Sequence, residues 1–115
     1  MFIERRQHSR VKTVVPAQLT EVCGGLRVKP KLATCRNLSA GGALCISSEP
    51  LGEGLLITVE LHLPDAVLRG QAVVVRCEQS EETGMYHVAT AFVEHSQEFK
   101  NRLIGFVRAM AAEAQ

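Results

Sequence analysis

The chain has no tryptophan, one tyrosine and four phenylalanines among its 115 residues. So few rings argue against a stacking platform for single-stranded nucleic acid, where successive bases each need an aromatic face. An excess of one charge is missing too. Thirteen Lys and Arg stand against twelve Asp and Glu, which leaves a net charge of +1. A general nucleic-acid binder presents a basic face, and the only dense basic cluster here is at the N-terminal end. No stretch approaches the roughly 18 apolar residues of a membrane span. The N-terminus reads Met1-Phe2-Ile3-Glu4-Arg5-Arg6 and then turns polar. Without an apolar h-region it is not expected to be a signal peptide, and the cytoplasm is the expected location.

Metal-ligand spacing is absent as well. No two of Cys23, Cys35, Cys45 and Cys77 stand in a C-x-x-C arrangement, so no metal site is expected. Cys35, Cys45 and Cys77 lie inside apolar, strand-like runs and are expected to be buried, reduced thiols. The histidines His8, His62, His87 and His95 are scattered, and there is neither a G-x-S-x-G elbow nor a P-loop. Nothing orients Ser39 or any other hydroxyl toward a base. No catalytic residue and no cofactor is expected, and the chain is not read as an enzyme.

What is present is an ordinary globular composition, 46% apolar and 22% charged. The length suits one domain with one core, over residues 1–115. Alternating apolar residues predict strands at 13–22, 32–36, 43–47, 55–63, 67–79 and 85–94. Ile57, Val59, Leu61 and Leu63 mark one face of the fourth. Pro16 suggests an edge or a strand start, because it has no N–H for a ladder. Gly70 suggests a bulge or a close approach. After residue 95 the period changes. Phe99, Leu103, Phe106, Val107 and Met110 recur at helical spacing, with Ser96 as N-cap and Glu98 in the first turn. A helix over about 97–112 is expected to cover an open end of the sheet. Six short strands with short connections favour antiparallel pairing and a barrel or sandwich. The chain thus divides into a basic arm at 1–12, a β unit at 13–94 and a helical segment at 96–113.

Two stretches carry more than fold information. Arg5-Arg6-Gln7-His8-Ser9-Arg10 places three guanidinium groups just ahead of the first strand. Asn37-Leu38-Ser39-Ala40-Gly41-Gly42 reads as a polar turn between two strands. Arginine is always charged and its rigid fork matches phosphate or a flat base. Asn, Ser and a glycine pair supply neutral hydrogen bonds and room for close backbone approach. Together they suit a small, anionic, base-containing ligand. Taken alone, the first stretch is a solvated basic tail and the second a tight connection.

The R-R-x-x-x-R pattern followed by N-x-S-x-x-G, in this order and at this length, resembles the PilZ domain. The resemblance covers nearly the whole chain, as a domain standing alone. It implies a mainly β fold, a small antiparallel six-stranded β-barrel with a C-terminal α-helix. It also implies binding of the bacterial second messenger cyclic di-GMP. On that pattern Arg6 and Arg10 would grip phosphate and guanine. Asn37 would bond a guanine edge, Ser39 a phosphate or base group, and Gly42 would let the backbone approach. Guanine offers O6 and N7 to such an arginine fork. An Arg before the pattern, here Arg5, accompanies a stacked pair of ligands in the family. Two features depart from it. Ala89 stands where Gly is common, and Arg76 stands in a strand where many members present a stacking aromatic. The implied partner is a downstream protein of the motility, polysaccharide or attachment machinery. The competing readings are a PilZ-like protein-interaction module that binds no nucleotide and a basic-armed barrel that binds RNA.

Overall fold

The computed structural model describes residues 11–24, 28–93 and 96–113. Six strands precede one helix: β1 Val11–Glu21, β2 Lys31–Ser39, β3 Gly42–Ser47, β4 Leu56–His62, β5 Val67–Gln79, β6 Tyr86–Phe92 and α1 Gln97–Glu113. All pairings are antiparallel, and the order β1-β2-β3-β6-β5-β4 closes on itself as a barrel.

The alternation read from the sequence is the inside–outside alternation of the barrel wall. Leu19, Cys35, Cys45, Ile57, Val59, Leu61, Val74 and Val88 are all fully buried. Each fully buried aliphatic side chain stabilises the fold by about 1.5–3 kcal/mol. Cys35 and Cys45 are register partners across β2 and β3, and both are free thiols. The Cys35 thiol facing it, and secondly burial, raise the pKa of Cys45. Cys77 is only half-buried, because it lies toward the far end of long β5.

The helix plugs one end of the barrel. Ser96 caps it: its Oγ accepts the Phe99 N–H at 3.1 Å, and its carbonyl accepts the Lys100 N–H at 3.1 Å. Phe99, Leu103 and Val107 are buried and contribute to the main core. Gly70 is the seat of Phe99. A Cβ at position 70 would lie 2.9 Å from the ring. The β4–β5 register is unbroken around Gly70, so this glycine serves close approach and not a bulge. No helix among the described residues is long and apolar enough to cross a membrane.

Pro16 is not on an edge strand, since β1 pairs on both sides. It stands one residue before the β1–β4 pairing begins at Ala17, so among the described strands the stretch from Val11 to Pro16 pairs with β2 alone. The proline occupies the half of β1 where a missing N–H costs the ladder least.

Candidate ligand site at the start of β1 and the β2–β3 hairpin

Asn37, Ser39 and Gly42 do not form one long turn. Asn37 and Ser39 belong to β2, Gly42 opens β3, and the connection is Ala40 and Gly41 alone. Ser39 pairs with Gly42 across this two-residue turn. The Ser39 hydroxyl is buried and engaged locally. It accepts the Gly41 N–H at 3.2 Å and donates to the Gly42 carbonyl at 3.4 Å. A hydroxyl holding its own turn in this way fixes the hairpin's shape.

The hairpin is anchored to β6 as well. The Gly41 carbonyl accepts the Phe92 N–H at 2.9 Å. Buried Thr90 donates its hydroxyl to the Ala43 carbonyl at 3.0 Å and accepts the Ala43 N–H at 3.3 Å. Gly42 sits so close to β6 that any Cβ there would collide with the Thr90 carbonyl oxygen. The fold alone therefore requires glycine at position 42.

A register irregularity turns Asn37 outward. Between the pairs Cys35–Cys45 and Asn37–Leu44, Arg36 is an extra residue on β2. Bulges of this kind re-aim side chains and recur beside functional sites. Without it, Asn37 would follow Cys35 into the core two residues on. With it, Leu38 is buried and Asn37 is half-exposed on the outer wall. A second irregularity lies between Val74 and Arg76, where Val75 is extra on β5. It puts Arg76 opposite Ala89.

The registers then define one row on the outside of the barrel: Asn37, Leu44, Ala89, Arg76. It crosses three strand-to-strand steps of about 4.8 Å, roughly 14 Å in all. Its middle is a low apolar floor of half-buried Leu44 and Ala89. Its ends are a side-chain amide and an exposed guanidinium that pairs with Glu78 at 3.4 Å.

The arm joins the barrel beside this row. Val11 pairs with Leu38, between Asn37 and Ser39, and Lys12 pairs with Asn37. Residues far apart in sequence thus meet at one end of β1. Arg5, Arg6 and Arg10, expected to carry the ligand's charge, lie outside the described residues. Two further cations that belong to neither motif, Lys12 and Arg36, are exposed and adjacent to Asn37. In sequence Arg36 directly precedes Asn37, but Lys12 stands two residues beyond Arg10 and reaches Asn37 through the strand register alone.

A PilZ domain model matches residues 4–109. The chain belongs to the PilZ domain family, the class that its closed barrel and capping helix also define. Solved structures agree in fold. The structure of Bacillus subtilis inhibitor of motility (MotI/DgrA) superposes with a TM-score of 0.83 at 18% identity, over 98% of this chain and 54% of that one. The PilZ domain of YcgR from Escherichia coli with c-di-GMP gives 0.72 at 16% identity, over 96% and 95%. The K. pneumonia MrkH–c-di-GMP complex gives 0.78 at 17% identity, over 97% and 54%. The chain spans about half the length of the MotI/DgrA and MrkH chains it matches. Among curated proteins, none matches it in sequence.

Proposed function

We propose that this chain is a receptor for cyclic di-GMP, bound on the outer barrel wall between the N-terminal arm and the Asn37–Leu44–Ala89–Arg76 row. One observation carries the reading. The strand that continues from the arginine-rich stretch starts beside Leu38, inside the N-x-S-x-x-G motif. Val11, the residue that follows Arg10 in the chain, therefore stands beside the second motif, which supports a site shared by the two. Two relatives of this fold have been solved with c-di-GMP, which supports the same assignment.

The division of labour follows from chemistry. Arg6 and Arg10 supply forked, permanently charged donors for phosphate and for the O6 and N7 of guanine. Arg5 would serve a second, stacked ligand molecule. Asn37, turned outward by the bulge, offers an amide that can donate to and accept from a base edge. Ser39 and Gly42 hold the hairpin in shape, and Ala40 and Gly41 leave a single methyl group at its tip. Leu44 and Ala89 give a base a flat apolar surface. Arg76 closes the far side, and its pairing with Glu78 is exposed enough to be exchanged for a ligand. The bound arm and barrel together make a surface that a protein of the motility, polysaccharide or attachment machinery reads by contact.

The test is a titration of Arg6→Ala and Arg10→Ala with cyclic di-GMP. Each should lose binding while keeping the circular dichroism and melting behaviour of the parent chain. Undiminished titration by either variant would sink the assignment.

A further inference from the structure

Lys12 and Arg36 belong to neither motif, yet they bracket Asn37. Lys12 is the register partner of Asn37 on β1, so the two side chains leave the same face about 5 Å apart. Arg36 immediately precedes Asn37 and is the extra residue of the bulge against β3, while Thr13 and Val14 face it from β1. Both cations are exposed.

Their electrostatic setting differs from that of the paired cations. Lys31, Arg69, Arg76 and Arg102 each pair with a carboxylate. Among the described residues, Lys12 and Arg36 have no acidic partner. Lys29, Lys100 and Arg108 lack one too, but they lie apart, in a loop and on the helix. The outward residues next to Lys12 and Arg36 on these strands, Val14, Thr34 and Leu44, are all neutral. Two like charges on neighbouring strands repel each other. An anion seated between them removes that repulsion and gains a point charge and a fork at once.

We propose that Lys12 and Arg36 form a two-cation seat for a phosphate group beside Asn37, and that they set the affinity of this chain for its dinucleotide. The identity of the ligand, though not the anion seat itself, rests on the receptor reading above.

The experiment uses the full chain and two probes, cyclic di-GMP followed by calorimetry at several salt concentrations and inorganic pyrophosphate followed by amide NMR shifts. Lys12→Gln and Arg36→Gln are compared with Lys100→Gln as a control. All three side chains are exposed, so the barrel stays folded. Each of the first two variants should bind cyclic di-GMP about tenfold more weakly or worse, with a shallower salt dependence, and the control should not change. Pyrophosphate should shift the amides around Lys12 and Arg36 in the parent chain. Parent-like affinity and salt dependence in both variants would overturn the seat and leave the receptor reading intact. Pyrophosphate shifts without any binding of cyclic di-GMP would support the seat and overturn the receptor reading. No response to either probe would overturn both.

Discussion

Phe99 of the helix lies on Gly70 of β5, its ring 2.9 Å from the point where a Cβ of residue 70 would stand. The ring cannot easily retreat. It is buried and meets Phe92 edge-on at 5.4 Å between centroids, with an interplanar angle of 79°. Gly70→Ala should therefore destabilise the protein by about 1–3 kcal/mol through overpacking. Gly70→Val should cost more. Thermal unfolding of the two variants checks this, and a neutral Gly70→Val would show that the helix is free to shift.

Gly42 makes a comparable prediction at the ligand end. Its missing side chain leaves room for the Thr90 carbonyl, and Gly42→Ala has to push β3 away from β6. The variant should lose about 1–3 kcal/mol of stability before any ligand is added. Denaturant melts of the ligand-free protein distinguish this from a role confined to binding, which would leave the melt unchanged.

Glu60 gives a pH signature away from the site. Arg69 donates to it through both Nε and Nη2, at 3.1 and 2.6 Å, and His62 lies 3.0 Å away. The hydrogen bonds from Arg69, and secondarily His62, lower the Glu60 pKa against the opposing effect of burial. A carboxyl with a depressed folded-state pKa contributes stability that is fully present above its unfolded value of about 4.3. That contribution is lost as the pH falls through the lower folded value. Arg69 is largely exposed, so the pair is worth no more than about 1 kcal/mol. The stability gap between the parent and Glu60→Gln should be steady from about pH 5 upward and shrink below about pH 4. A gap that instead widened in acid would contradict the assignment of the shift to Arg69.

Much of this was legible in the sequence, for physical reasons. Ile57, Val59, Leu61 and Leu63 alternate because β4 has one wet face, and all four are buried. Ser96 announced the helix because capping is a local interaction. The bulges at Arg36 and Val75 were not legible, since an extra residue exists only relative to a partner strand. That is why Asn37 read as part of a turn when it is an outward residue of β2. The same blindness to partners made Pro16 look like an edge residue. It also left Gly70 open between a bulge and a close approach until Phe99 was seen upon it. Of the candidate site, the motif residues on the hairpin could be read ahead. The apolar floor of Leu44 and Ala89 and the cations Lys12 and Arg36 could not, because they are assembled by register.

The most direct test of the receptor assignment is isothermal titration of the purified chain with cyclic di-GMP, beside GTP and cyclic di-AMP. Tight binding confined to cyclic di-GMP is the predicted result, and a stoichiometry near two would support the role given to Arg5. Absence of heat and of any thermal shift with cyclic di-GMP would contradict it and turn attention to a protein partner on the barrel or the helix.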